Sequence, residues 1–339
     1  MNRFSKLQIA ALVLATSLPP AADAAQRMKL GTVAPRDSSF HKILSGMGAE
    51  WKSRGVELKI FPGGSRGGEA EMVSHMRNGA LDAGLLTAVG LSEIDPSVEA
   101  LQSVPMLFRS LEEVDYVGEK LHPRLEKRLR DKGFVVLFWA DAGWIRFFSK
   151  APIVRPDDLR KAKVFTWAGD VPAVEIYRAG GFHPVPLETS DILPSLQTGM
   201  INAVPLPPYV ALVTQVFVHA PHMMQLDWAP LVGAFVVTEK SWNRLPPKVR
   251  RELAVAAAAA GRKMKQRNRT ESDIAVVQMQ KRGLKVSSVP PAVQAEWRAM
   301  VEKRHAQFRG GKIPAELFDE VLRLLGEYRQ TRTMAGGTK

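Results

Sequence analysis

Apolar and polar residues alternate over 28–33, and apolar residues dominate 56–61 and 83–87. Pro62-Gly63-Gly64 ends the second run. Short apolar runs bounded by turn residues predict strands. Between them, 40–53 and 69–78 carry apolar residues at helical spacing, and Gly79 stops the second helix. This β-α-β-α-β order predicts a parallel sheet with helices on its faces. Further on, the pattern predicts a charged helix over 111–132 and strands over 134–139 and 145–149. A helix over 190–198, stopped by Gly199, precedes a strand at 201–204, and another strand falls at 235–238. A helix from 248 to 282 has no internal Pro. At about 1.5 Å per residue it would reach roughly 50 Å, enough to span two domains. A strand at 284–286 and helices over 291–309 and 314–328 close the chain, with a frayed tail expected at 331–339.

Residues 163–170 hold the most suggestive chemistry. Val164-Phe165-Thr166-Trp167 predicts a strand that runs straight into a helix, with Asp170 able to cap it. A strand ending at a helix N-terminus is a common ligand position in α/β proteins. Taken alone, Phe165 and Trp167 read more readily as core than as a site.

Composition narrows the classes. The chain has 339 residues, enough for two domains. Its formal charge of +13 is spread along the sequence, without an RNA-binding motif, zinc-finger spacing or basic tail, so nucleic acid is not an expected partner. Cysteine is absent, which excludes disulfides, thiolate metal sites and a lipid-anchoring Cys. Arg3 and Lys6 precede the apolar run 9–18, and Ala22-Asp23-Ala24 fits a cleavage site. A signal peptide over 1–24 and an exported protein are expected. The seven histidines form no HExxH pattern, the Gly-rich loop 63–69 lacks phosphate-cradle spacing, and no GxSxG elbow occurs. Neither an enzyme nor a cofactor is expected.

An ordered set of short segments then resembles one family. Phe61-Pro62-Gly63-Gly64-Ser65-Arg66-Gly67-Gly68-Glu69 resembles its glycine-rich turn, and Asn78-Gly79-Ala80-Leu81-Asp82-Ala83 the segment after it. Pro105-Met106-Leu107-Phe108, Asp157-Asp158-Leu159, Leu196-Gln197-Thr198-Gly199 and Trp242-Asn243-Arg244-Leu245-Pro246 resemble later landmarks at matching spacing. The family is that of the DctP-type solute-binding proteins of TRAP transporters, the tripartite ATP-independent periplasmic systems. The resemblance implies an α/β, periplasmic-binding-protein-like fold: two α/β domains, a cleft, hinge strands and a long domain-spanning helix. It implies domain I at 25–144 plus about 236–255, and domain II at 145–235 plus about 275–330. Hinges are expected near 143–149 and 235–238. The implied partners are a small organic solute and the TRAP membrane permease subunits.

The sequence departs from that family at the ligand positions. Phe165 stands where the family's carboxylate-binding Arg stands, and Leu206 where it has Asn. Ile145 occupies a second Arg position, and Arg146 follows one residue later, which on a strand turns it to the opposite face unless a bulge intervenes. Phe165, Trp167, Leu206 and Tyr209, with Trp139, Trp144 and Phe40, are expected to line an apolar pocket, and Glu69 to add a polar contact. The expected solute is hydrophobic or amphipathic; the alternative is a small carboxylate bound through Arg146. The apolar departures resemble those of a TRAP subgroup associated with a tetratricopeptide-repeat partner.

Overall fold

The computed structural model describes residues 26–336; the expected signal peptide lies outside them. Ten strands form one continuous sheet system. They are β1 (Gln26–Thr32), β2 (Val56–Phe61), β3 (Ala83–Thr87), β4 (Phe134–Ser149), β5 (Lys163–Trp167), β6 (His183–Leu187), β7 (Ala203–Leu206), β8 (His222–Gln225), β9 (Ala229–Thr238) and β10 (Lys285–Ser288). The order is β2-β1-β3-β9-β4-β7-β5-β6, with β8 paired to β4 and β10 to β8. β1, β2 and β3 are parallel, as the alternating pattern implies.

β4 is one 16-residue strand, where the sequence suggests two. Its first part pairs with β9 as far as Ile145 against Ala229, and its end pairs with β7 from Arg146 against Leu206 to Ser149 against Ala203. One strand thus serves both halves of the molecule. A register shift between Asp141 and Trp144 accommodates the interrupting Gly143, whose φ is 77° and whose N–H donates to Asp141 Oδ1. β9 likewise begins at Ala229, well before the 235–238 run that the sequence shows.

The long helix, Pro247–Gln280, crosses both halves. Its first part packs Leu253, Ala257 and Met264 with Met28, Trp51 and Phe235. Its last turns pack Ala275 and Met279 with Phe148, Phe165 and Met223. Gly261 allows the helix to lie directly on β4, since a Cβ there would meet Phe138 at 2.7 Å. The 78–83 and 242–246 landmarks meet in space: Asp82 Oδ1 accepts from Ser241 Oγ at 2.6 Å and Arg244 Nη2 at 2.9 Å.

The C-terminal region differs from the sequence expectation. The 291–309 segment is two helices, Pro291–Glu302 and His305–Phe308. The last helix, Ala315–Gly336, continues past the expected start of the tail at 331. It packs on the Leu111–Asp131 helix of the first half, with Arg329 binding Glu113 and Arg124 binding Glu320. Leu121, Leu125, Leu317 and Val321 share one apolar cluster there, which explains the attachment.

Candidate functional site

The carboxyl ends of β1, β3, β5 and β7 converge, each contributing its last residue to one cavity: Thr32, Thr87, Trp167 and Leu206. Strand ends of an α/β sheet expose backbone and side chains to a crevice, which is where such folds hold ligands. The cavity measures about 320 Å³ and lies between the two halves, with Phe40 on one side and Val210 on the other. Its walls are mostly aliphatic and aromatic, and among the described residues no Lys or Arg lines it. Asp141 is the one acidic residue at its wall. Arg269 Nη2 neutralises Asp141 Oδ2 at 2.9 Å, while the same guanidinium binds both oxygens of Asp115. Burial alone would lower the pKa of Arg269, but its bonds to the two carboxylates outweigh burial and raise it, so the charge is kept.

A second, smaller cavity of about 110 Å³ lies on the other side of Trp167, which lines both. Ile145, Phe165, Tyr177 and Trp228 form much of its wall. The Phe165 ring meets that of Trp167 edge-on at 5.1 Å. Lys312 and Asp170 also reach it.

The residues singled out from the sequence therefore divide. Phe40, Trp167 and Leu206 line the large cavity, and Phe165 the small one. Tyr209 is outside both linings, but its hydroxyl accepts from Ser39 N–H at 2.7 Å and its ring lies 5.8 Å from Phe40. It ties the Pro208–Val213 helix to the start of the Ser39–Lys52 helix across the crevice.

Four residues stand apart from both cavities, each for a local reason. Trp139 donates to Glu126 and stacks on His122 at 4.5 Å. Trp144 packs into the cluster around Trp228 and Trp297. Glu69 is buried and accepts from Thr87 N–H at 2.6 Å and Thr87 Oγ1 at 2.5 Å, just ahead of the Ala88–Ser92 helix; burial raises its pKa. Arg146 pairs in register with Leu206 and shares its face of the sheet, one step along β4 from Ile145, which lines the smaller cavity. Its guanidinium nevertheless turns to Asp227, with Nη2 2.9 Å from Oδ1.

Sequence reasoning did not reach Asp141, Arg269, Arg304 or Lys312. Asp141, Arg269 and Lys312 act through partners far away in the chain, Arg304 reaches the smaller cavity, and none sits in a local motif.

Residues 30–310 match the bacterial extracellular solute-binding proteins, family 7 (DctP). The chain is 25% identical over 246 residues to the 2,3-diketo-L-gulonate-binding periplasmic protein YiaO of Escherichia coli K12, covering 70% of this chain and 74% of that one. In fold it is similar to a TRAP periplasmic solute-binding protein of Ralstonia eutropha H16 solved with (S)-2-acetolactate, with a TM-score of 0.83 at 20% identity, covering 89% of this chain and 99% of that one. A TRAP solute-binding protein of Sulfurospirillum deleyianum with bound succinate gives 0.82 at 19%, over the same shares. With a matched region spanning most of both halves, the chain belongs to the DctP family of periplasmic TRAP solute-binding proteins, which bind solutes and are not enzymes.

Proposed function

We propose that this receptor captures an organic acid with an apolar body and delivers it to a TRAP permease. The observation that carries the reading is the large cavity at the strand ends, built of apolar walls with no cation among its described lining residues. A compact polyol acid would find hydroxyl partners at Thr32, Thr87, Thr189, Ser190 and Thr214, and each polar group left against the apolar remainder would cost about 1–3 kcal/mol. An apolar body gains about 25 cal/mol for each Å² removed from water, so 100 Å² contributes about 2.5 kcal/mol. That the named relatives hold acetolactate, succinate and diketogulonate supports a carboxylate on the solute.

Those small acids also favour a second reading, a compact carboxylate bound through Arg146. It requires Arg146 to leave Asp227. The domain division at the switch of β4 partners, between Ile145 and Arg146, supports closure of the halves around ligand, with each state populated according to its contacts. A tetratricopeptide-repeat partner of the kind associated with one TRAP subgroup rests on the same apolar lining, and co-purification from periplasm tests it.

The main test is extraction of the purified protein with organic solvent, followed by mass spectrometry of what is released. An amphipathic acid is the expected product. Micromolar binding of succinate by calorimetry, abolished by Arg146→Ala, would establish the second reading instead.

A further inference from the structure

We propose that the smaller cavity beside Trp167 seats the anionic end of the solute, with Arg304 and Thr166 as its hydrogen-bond donors. The inference rests on the reading of an acid with an apolar body, and it places the two ends of that molecule on opposite sides of one indole.

Two of the residues lining this cavity carry a buried polar atom without a partner, Thr166 Oγ1 and Arg304 Nε. The guanidinium nitrogen can only donate, and a hydroxyl can. A buried donor left unpaired costs about 1–3 kcal/mol, so the cavity as a whole favours an acceptor oxygen. Thr166 is 4% exposed, so water does not satisfy it from outside.

Arg304 is built for the role. Nη1 donates to Met300 O at 2.9 Å and Nη2 to Ala179 O at 3.2 Å, which fixes the plane of the guanidinium. Among the described residues no carboxylate pairs with it, so its charge is available to an anion. Lys312 and Asp170 also line the cavity; Lys312 is held between Asp170 and Glu99, one cation against two carboxyls, and the proton that burial keeps on Glu99 below about pH 7 balances that cluster. The volume of about 110 Å³ is several times the roughly 10–15 Å³ that one water centre needs, so a carboxylate fits. Among the described residues Trp167 is the one both cavities share, and the proposed solute passes its ring edge with its apolar body in the larger cavity.

The experiment compares two probes of equal length, octanoate and 1-octanol, by tryptophan fluorescence and calorimetry on the mature protein. The wild type is expected to bind octanoate at least about tenfold more tightly than octanol, as a charged hydrogen bond is worth about 1.5–3 kcal/mol. Arg304→Met should weaken octanoate about 10–100-fold and leave octanol within about twofold. Arg304→Lys should fall between, and Thr166→Val should weaken octanoate about 3–10-fold. These two variants keep the test decisive if Arg304→Met fails to fold, with melting temperature as the control. A wild type that prefers octanoate while all three variants retain that preference overturns the seat but not the apolar-bodied acid. A wild type that binds octanol as well as octanoate also overturns the seat alone. A wild type that binds neither probe overturns the reading of the ligand, and the seat with it.

Discussion

Lys312 is buried, with Nζ 3.1 Å from Glu99 Oε1 and in contact with Asp170. The three come from separate segments: Glu99 from the Pro96–Leu101 turn, Asp170 from the cap after β5, and Lys312 from just before the last helix. Lys312→Met keeps an apolar stem of similar length and deletes the charge. It leaves two buried carboxylates without their cation, and removing one partner of a buried ion pair costs about 3–5 kcal/mol. Unfolding entropy of about 2.1 cal/mol/K per residue gives roughly 0.65 kcal/mol/K for a chain of this size. The melting temperature should therefore fall by about 5–8 °C, read by scanning calorimetry.

The same cluster sets the sign of the pH dependence. Burial pushes the Glu99 carboxyl up from 4.5 to about 7, although Lys312 pulls it down. The folded protein thus keeps a proton that the unfolded chain releases above 4.5. That contribution is complete below the unfolded value and is lost as pH rises through about 7. Without Lys312 the carboxyl moves higher still, so the deficit of Lys312→Met should be larger at pH 8 than at pH 5. A drop below about 1 °C, or a deficit that grows toward acid, would refute the buried-pair reasoning.

Three other outcomes are expected. His122, stacked on Trp139, is pushed down to about 4 by burial first and by Lys265 second, so its stabilising neutrality is complete above 6.5 and is lost as pH falls toward 4. Its ring signals in NMR should stay constant between pH 7 and 5, and a midpoint near 6.5 would contradict its burial. Arg146→Ala should change affinity for the extracted solute by no more than about fivefold, because its role is a partly exposed pair with Asp227 worth about 1 kcal/mol or less. Gly233→Ala should destabilise the fold by about 1–3 kcal/mol, read as a lower urea midpoint, since its Cβ would lie 2.4 Å from Leu86 O where β3 and β9 pair; an unchanged midpoint would show that the ladder yields there.

The first half of the fold was legible because its strands are continuous apolar runs closed by Gly or Pro. β2 and β3 fall where the pattern puts them, and β1 starts two residues early. β4 read as two pieces because Asp141-Ala142-Gly143 looks like a break, and only the Asp141 carboxylate holding Gly143 N–H makes it a bulge. β9 was legible only at its end, since Pro230 and Gly233 suppress the local signal while pairing on both edges holds the strand. At the site, aromatic type alone overstated the pocket. Trp139 and Trp144 are equally aromatic but are consumed by neighbours, a fact no spacing reveals. The cations near the small cavity were invisible for the opposite reason. Arg304 and Lys312 sit in an unremarkable basic C-terminal stretch and become distinctive only when the chain returns to β5.

Asp141 joins the ligand cavity to the frame. Its side chain forms part of an apolar wall, where an unpaired carboxylate would be costly and would repel an acid. Arg269 removes both objections, and because Arg269 also grips Asp115, the long helix, β4 and the Leu111–Asp131 helix are fastened at one point. The other Asp141 oxygen fixes the bulge just before β4 exchanges β9 for β7. The cavity wall and the strand that connects the two halves therefore share one residue. A rearrangement of the halves at this bulge would move a residue of the cavity wall, which would link occupancy to shape in a solute-binding fold.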